Sequence, residues 1–185
     1  MSANPNAPYI FLVFASHDIK RHSALDRLRD EARQLQNLLE INSSCQLILR
    51  QNAVLEDVFN TFKKNPYRER ISVFHFAGHA DSYSLLLENA KREALRADAN
   101  GFAAFLAEQP GLHLVFLNGC STQEQVQGLL DAGVQVVIAT TERVPDEWAS
   151  PFASDFYKSL VSGASIASAY RDDGGSVVLF HIGLC

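Results

Sequence analysis

The chain has 185 residues, of which 47% are hydrophobic and 20% charged, and its net charge is -5. This length fits one domain with a substantial core, and the composition excludes an intrinsically disordered protein. The negative charge argues against nucleic acid as a direct partner. Three cysteines without metal-ligand spacing, no signal peptide and no long apolar run predict a soluble cytoplasmic protein with no membrane contact and no metal.

The chain opens with a proline- and asparagine-rich stretch, and we interpret residues 1–8 as a disordered lead-in to a single domain over residues 9–185. Tyr9–Ala15 is almost wholly apolar, as expected for a strand that is buried on both faces of a parallel sheet. Leucine and alanine then recur three or four residues apart between His22 and Glu40. This spacing predicts a helix with one core-facing stripe.

Basic residues cluster between Lys20 and Arg33, at the start of that helix. They alternate with Asp26, Asp30 and Glu31 at helical spacing. Mixed signs of charge are typical of a solvated helix face, so we favour that interpretation for all three acidic residues over a phosphate-binding patch.

The remaining elements alternate between strands and helices. Further strands are predicted at Gln46–Arg50, Ile71–Ala77, Leu112–Leu117, Val134–Thr140 and Ser176–Ile182. Helices are predicted between Leu55 and Pro66 and at Gly101–Gln109, Gln123–Asp131, Pro151–Leu160 and Ala164–Tyr170, with a short hairpin at Asp81–Glu88. This alternation predicts an α/β fold with a mostly parallel sheet that is covered on both faces. The last strand runs to the final residues, and we interpret it as the cut edge of a longer protein.

Two of the predicted strands run out into a glycine and then a reactive side chain. His79 follows Gly78, and Cys120 follows Gly119. Loops at the carboxyl ends of parallel strands form the site in such sheets, so the two side chains are expected to meet across one cleft. A cysteine beside a histidine base is an activated nucleophile. Taken singly, the cysteine fits better as a buried small hydrophobe and the histidine as a polar strand cap, but their joint placement after two apolar strands favours the functional interpretation.

Cys120 stands at a predicted strand-to-helix turn, where Ser121 and Thr122 can cap the helix. A helix terminus and a nearby imidazolium both lower the pKa of a thiol, and the thiolate is the attacking species. His79 would serve as general base and then as general acid. The backbone N–H groups of Cys120 and Ala80 would form an oxyanion hole for acyl transfer.

His75 and His79 also form an H-x-x-x-H spacing, which on a helix would suggest two metal ligands. The segment reads as a strand, and four residues at about 3.3 Å each place the two rings roughly 13 Å apart. We therefore predict no metal site, and we interpret His75 as a packed strand residue.

The segments Phe-His-Phe-Ala-Gly-His79 and Leu-Asn-Gly-Cys120-Ser-Thr resemble the histidine and cysteine motifs of the CHAT domain, a caspase-like cysteine peptidase family. The resemblance extends over roughly Ile71–Tyr170. It implies a caspase-like three-layer sandwich and a Cys-His dyad that cleaves a protein substrate without a cofactor. It also implies regulation by a helical-repeat (TPR-like) partner or sensor and a role in bacterial defence. Ala80 departs from the family, which usually has glycine there.

The resemblance also suggests where a substrate pocket would lie. In caspase-like enzymes the residue two before the nucleophile lines the pocket, and here it is Asn118. Asp18, Glu142 and Asp146 stand in predicted loops and could favour a basic residue before the cut, although each also fits an ordinary solvated charge. Trp148, on the same loop as Asp146, would wall the pocket or simply pack.

Two alternatives remain open. The stretch Phe-Leu-Val-Phe-Ala-Ser-His-Asp near the start resembles the first box of a TIR domain, which serves as an adaptor or cleaves NAD. That interpretation leaves the two matching strand ends unexplained. The second alternative is a caspase-like signalling module without catalytic activity. Dinucleotide binding is the least favoured, since no G-x-G-x-x-G follows the first strand.

Overall fold

The structure is a computed structural model that describes residues 6–15, 22–42, 44–78, 80–81, 84–88, 94–119, 122–140, 146–172 and 180–184. For residues 22–27, 80–81, 84–88, 94–99, 123–124, 146–150, 172 and 180–184 the description covers the backbone alone. Among the described helices, none combines the length and the apolar character needed to cross a membrane.

The centre of the fold is a six-stranded sheet. Its strands, numbered in chain order, are β1 (Tyr9–Ala15), β2 (Gln46–Gln51), β3 (Ile71–Gly78), β7 (Leu114–Asn118), β8 (Val136–Thr140) and β9 (Phe180–Leu184). The spatial order is β2-β1-β3-β7-β8-β9, and all neighbours are parallel except β9, which joins β8 antiparallel. The mostly parallel sheet predicted from the sequence is therefore confirmed. The predicted last strand began at Ser176, which lies outside the described residues.

Three helices cover one face of this sheet: α2 (Leu55–Lys63), α3 (Ala99–Ala107) and α4 (Gln123–Asp131). The core on this side is rich in aromatic rings, because alternate strand residues meet phenylalanines of the helices. The ring centroid of Phe74 in β3, for example, lies 5.9 Å from that of Phe62 in α2. Burial of such rings stabilises the fold strongly, and edge-on contacts add to it.

The opposite face is covered by α1 (His22–Glu40), α5 (Asp146–Val161) and α6 (Ile166–Asp172). Leu12 of β1 and Leu35 of α1 are fully buried in this second core. The result is a three-layer α/β/α sandwich, as the sequence predicted. The predicted bounds of β1, α1 and α4 agree with the structure, because each has an uninterrupted apolar pattern.

A separate three-stranded antiparallel sheet follows β3 in the chain. It consists of β4 (Ala80–Asp81), β5 (Ser84–Glu88) and β6 (Ala94–Asp98), in that spatial order. The sequence predicted only a hairpin at Asp81–Glu88. β6 was missed because its sequence, Ala-Leu-Arg-Ala-Asp, contains mostly residues that favour helix, and its pairing with β5 overrides that preference.

The start of α5 also differs from the prediction. The sequence predicts a loop that contains Asp146 and Trp148 and a helix that begins at Pro151, since proline favours the first helical position. In the structure the helix begins at Asp146, and Pro151 lies inside it. Packing of the α5 residues Phe156 and Tyr157 into the second core stabilises the helix beyond this local preference.

The described chain begins before the first strand. The carbonyl oxygen of Ala7 accepts a hydrogen bond from Nη2 of Arg70 at 2.9 Å, and Ala7 is buried. The carbonyl oxygen of Pro8 accepts from the N–H of Gln46 at 2.8 Å. Residues 7 and 8 are thus attached to the sheet, and residues 1–5 of the predicted lead-in lie outside the described residues.

Candidate active site

The carboxyl ends of β3 and β7 lie side by side. The two strands are adjacent and parallel, and Ala77 is opposite Asn118 in their register. His79 and Cys120 each follow this registered pair by two residues along the chain. Neighbouring strands in a sheet are about 4.8 Å apart, so the described ends of β3 and β7 lie at the same edge and at the same level. His79 and Cys120 lie outside the described residues, and their dyad stays a prediction.

Gly78, the last residue of β3, packs closely against the end of β1. A Cβ atom added there would lie 2.6 Å from the carbonyl oxygen of Ala15 and 3.2 Å from the Cβ of Ala15. Any side chain would therefore push the end of β3 away from β1. Glycine at this position lets the chain reach residue 79 without disturbing the sheet.

Two buried threonines connect the end of β8 to the described backbone before and after Cys120. The hydroxyl group of Thr122 donates to the carbonyl oxygen of Leu117 at 3.2 Å, and its oxygen accepts the N–H of Thr140 at 3.0 Å. In return, the hydroxyl group of Thr140 donates to the carbonyl oxygen of Gly119, and its oxygen accepts the N–H of Thr122 at 3.5 Å. The end of β8 thus fixes the backbone on both sides of residue 120. We call these two residues the threonine brace.

The brace corrects one expectation about α4. Thr122 was predicted to cap the helix through its side chain, but it makes no side-chain cap hydrogen bond. Its hydroxyl group is used by Leu117 and Thr140 instead. Ser121, the other predicted cap, lies outside the described residues.

A second group of polar side chains is buried between the sheet and the helices α1 and α5, close to the carboxyl end of β7. We call Glu31, His75, Asn118 and Tyr157 the buried polar cluster. Oε1 of Glu31 accepts a hydrogen bond from Nδ2 of Asn118 at 2.9 Å and lies 3.6 Å from Nε2 of His75. On its other side, Nδ1 of His75 lies 3.1 Å from the hydroxyl oxygen of Tyr157. The cluster links α1, β3, β7 and α5.

His75 is the centre of that cluster. Its side chain is completely buried, and its ring stacks on Phe116 with a centroid distance of 4.7 Å and an interplanar angle of 17°. It is a packed strand residue, as predicted from the sequence. Within the described part of the chain, no three histidine, cysteine, aspartate or glutamate side chains converge to hold a metal ion.

Burial alters two ionisable groups on this side of the sheet. Desolvation raises the pKa of Tyr157 well above its usual value, and the nearby charge of Glu31 raises it further. The phenol therefore keeps its proton at neutral pH. Desolvation also raises the pKa of the Cys45 thiol, although a hydrogen bond from Ser44 opposes the effect. The Cys45 thiol is therefore mostly protonated at neutral pH, which slows its reaction with electrophiles.

The other predicted site residues fall in less described parts of the chain. Asp18 and Glu142 lie outside the described residues. Ala80, Asp146 and Trp148 are described by backbone alone, the first in β4 and the other two in the first turns of α5. Their roles in an oxyanion hole and a substrate pocket therefore stay predictions.

The structure adds three residues near the candidate site that the sequence does not predict to lie there: Glu31, Thr140 and Tyr157. Glu31 was assigned to a solvated helix face, and that assignment is wrong, since the residue is 4% exposed. Its spacing carried the signal: Glu31 is three residues after Leu28 and four before Leu35, which places it on the apolar stripe of α1. Tyr157 and Thr140 gave no such signal, because their partners are distant in sequence.

Comparison with known proteins identifies the class of this fold. It is that of the caspase-like cysteine proteases. A secreted C11 cysteine protease from Bacteroides thetaiotaomicron, solved with an irreversible peptide inhibitor, matches with a TM-score of 0.63 and 14% identity over 92% of this chain. The Drosophila initiator caspase Dronc matches with a TM-score of 0.62 and 12% identity, covering 95% of this chain and 79% of its own. Separase from the Saccharomyces cerevisiae separase-securin complex matches with a TM-score of 0.61 and 14% identity over 98% of this chain.

The family follows from the sequence comparison. The profile of the CHAT domain matches residues 2–178, and the chain belongs to this family. No curated protein sequence matches the chain. The chain spans 58% of the length of the bacterial protease and 12% of the separase chain.

Proposed function

We propose that the protein is a cysteine endopeptidase in which Cys120 is the nucleophile and His79 the general base. The observation that carries the proposal is the register of β3 and β7. Ala77 lies opposite Asn118, and the two reactive residues follow at equal distance from that pair. The membership of the CHAT family and the caspase-like fold support the same reaction class.

The reaction would proceed by covalent catalysis. His79 removes the proton of the Cys120 thiol, and the thiolate sulfur attacks the carbonyl carbon of the scissile peptide bond. The tetrahedral intermediate collapses as the C–N bond breaks, and His79 gives its proton to the departing amine. Water, deprotonated by His79, then attacks the thioester and releases the carboxylic acid and the free thiol.

Two features of the described backbone favour this chemistry. The threonine brace fixes the carbonyl groups of Leu117 and Gly119, which precede Cys120, and the N–H group of Thr122, which follows it. Fixed geometry at a nucleophile contributes to the rate because orientation entropy is lost before the reaction begins. The N–H groups of Cys120 and Ala80 would stabilise the oxyanion, with Ala80 at the first position of β4.

We propose a protein substrate and a cytoplasmic site of action, with regulation by a helical-repeat partner or sensor and a role in bacterial defence. Asp18, Glu142 and Asp146 would favour a basic residue before the cut, with Trp148 at the pocket wall. The predicted role of Asn118 is revised, because the residue is 9% exposed and its side chain is hydrogen-bonded to buried Glu31, so it would support the pocket from the core rather than line it. A cationic side chain in such a pocket would gain from nearby carboxylates that are shielded from solvent. Yeast separase, a structural neighbour, was solved with securin, a protein partner.

A peptide-library cleavage assay tests the proposal. We expect cleavage after basic residues by the wild-type protein and its loss, by at least about 1,000-fold, in Cys120→Ala, since removal of a nucleophile leaves only residual catalysis. Cys45→Ala is the matched control, because Cys45 immediately precedes β2 at the opposite edge of the sheet. This control should cleave at the wild-type rate.

Because a partner can be needed to order the site, the assay includes the proteins encoded beside this chain. Equal cleavage by wild-type protein and Cys120→Ala would contradict the proposal. If no cleavage occurred under any of these conditions, the chain would be a catalytically silent signalling module. The TIR-like alternative is not favoured, because the CHAT match over residues 2–178 includes the stretch that suggested it.

A further inference from the structure

Glu31 is a buried carboxylate with two specific neighbours. It lies on the core-facing side of α1 and is 4% exposed. Its Oε1 atom accepts from Nδ2 of Asn118 at 2.9 Å and lies 3.6 Å from Nε2 of His75. A carboxylate in a protein core is unfavourable unless it is paired and hydrogen-bonded, so its partners are integral to the fold at this point.

His75 contributes the polar atom that faces this carboxylate. The pKa of Tyr157 is raised, so its phenol is protonated and can donate to Nδ1 of His75 at 3.1 Å. Among the described residues, Nε2 of His75 has no hydrogen-bond partner, and it is buried. Its contact with Oε1 of Glu31, at 3.6 Å, is longer than a hydrogen bond, whereas Nδ2 of Asn118 donates a hydrogen bond to Oε1 at 2.9 Å.

Asn118 connects this buried carboxylate to the catalytic edge. It is the last residue of β7 and stands two residues before Cys120. Its backbone is in register with Ala77, and its side chain is tied to α1 through Glu31. Two sets of contacts therefore fix the direction in which the chain leaves β7. One is the hydrogen bond from Asn118 to Glu31 of α1, and the other is the threonine brace, which holds the carbonyl groups of Leu117 and Gly119.

We propose that Glu31 is a positioning residue for the nucleophile, acting through its hydrogen bond to Asn118. The inference rests on the proposed function of Cys120 and deepens it. Glu31 does not touch the substrate. It keeps the end of β7 in one orientation, so that the thiol of Cys120 is presented at the level of His79.

Two substitutions separate this role from a contribution to stability. Glu31→Gln keeps a carbonyl oxygen that can accept from Asn118, whereas Glu31→Met has similar length and no acceptor. The matched control is Leu39→Ala on the same helix, because Leu39 is buried in the same core and lies eight residues, about 12 Å, from Glu31. It lowers stability without removing the contact to Asn118.

The first measurement is hydrogen exchange of the segment 117–122, compared with β2 as an internal reference. We expect faster exchange of 117–122 in Glu31→Met alone, with β2 unchanged, and wild-type exchange in Glu31→Gln. If exchange in Glu31→Met rose equally in both segments, or in neither, the positioning role would be wrong. This readout does not depend on peptidase activity.

The second measurement is the rate at which iodoacetamide alkylates Cys120, a reagent that needs no substrate pocket. We expect Glu31→Met to lower this rate by about 10- to 100-fold and Glu31→Gln by less than about threefold, since small misplacements of a reacting group have effects of this size. Equal rates in Glu31→Met and Leu39→Ala would overturn the inference.

Asn118→Ala tests the same contact from β7 should Glu31→Met fail to fold. Its exchange at 117–122 should rise as in Glu31→Met, and the double substitution should add little, because both changes remove one contact. Additive effects would contradict the inference. Failure of the proposed function would appear separately, as absent cleavage with intact exchange differences.

Discussion

Polar side chains in the buried polar cluster are paired with one another because the core around them is apolar. Tyr157 is fully buried, and its phenol contacts His75. Glu31 adds a negative charge nearby, so ionisation of this phenol is opposed both by desolvation and by repulsion. At the residue scale, the cluster therefore ties stability to the protonation of one tyrosine.

Tyr157 predicts a loss of stability at alkaline pH. Its pKa in the folded protein is raised well above the usual value of 10.0, so its contribution is complete below pH 10 and is lost as pH rises, because the unfolded chain releases the proton first. The free energy of unfolding should fall by up to about 1.4 kcal/mol per pH unit from this group. Urea unfolding between pH 9 and 11 measures the slope.

Tyr157→Phe should reduce this slope, even though it also removes the contact to His75. Tyr67→Phe is the control, because Tyr67 is only partly buried and packs edge-on against Tyr9. The same alkaline slope in wild type and Tyr157→Phe would show that another group is responsible.

At the element scale, the threonine brace joins β7, β8 and the start of α4. Thr122 and Thr140 are 0% and 1% exposed, and each accepts the backbone N–H of the other. A buried donor or acceptor that loses its partner is unfavourable by about 1–3 kcal/mol. The brace is therefore expected to affect both the stability of the fold and the geometry at residue 120.

Thr140→Val keeps the shape of the side chain and removes its hydroxyl group. We expect the free energy of unfolding to fall by about 1–3 kcal/mol, because the carbonyl of Gly119 and the N–H of Thr122 lose a buried partner. The alkylation rate of Cys120 should also fall. Denaturant unfolding and thiol alkylation measure the two effects.

Thr61→Val is the control for the brace. Thr61 is 4% exposed, and its hydroxyl group donates to the carbonyl oxygen of Asp57 at 2.7 Å within α2, away from β7. This substitution should leave the alkylation rate unchanged. The same rate in Thr140→Val as in Thr61→Val would show that the brace does not position Cys120.

The limits of sequence-based prediction are also clearest among elements. β1 and α1 were predicted with their observed bounds, because an apolar run and a helical stripe are local patterns. β6 and the start of α5 were not, because pairing and packing with distant residues override local preference there. When an element is stabilised mainly by contacts with distant residues, its own sequence contains little information about its secondary structure.

The candidate site divides in the same way. The predicted dyad of His79 and Cys120 rests on a local pattern, since a glycine and a reactive side chain follow two apolar runs, and it stays a prediction. The spacing of Glu31 places it on the apolar stripe of α1, but its charge favoured a solvated position. The role of Thr140 can be predicted only when β8 is known to lie beside β7. The supporting contacts are long-range in sequence, so the topology must be known first.

At the scale of the whole molecule, the parallel sheet places β3 and β7 side by side although they are distant in the sequence. His79 and Cys120 are 41 residues apart, yet the strands before them are adjacent and in register. The two helical layers bury both faces of the sheet, which leaves its carboxyl edge as the place where side chains can meet a substrate. The proposed peptidase activity therefore depends on the activation of Cys120 by His79.

Site-resolved labelling by a peptide electrophile tests that claim most directly. At neutral pH, the wild-type protein should be modified at Cys120, whereas Cys45 should react slowly because burial raises its pKa. His79→Ala should abolish the modification of Cys120. His113→Ala, the replacement of an exposed histidine that precedes β7, should leave it intact. Equal labelling of Cys45 and Cys120, or unchanged labelling in His79→Ala, would contradict the account.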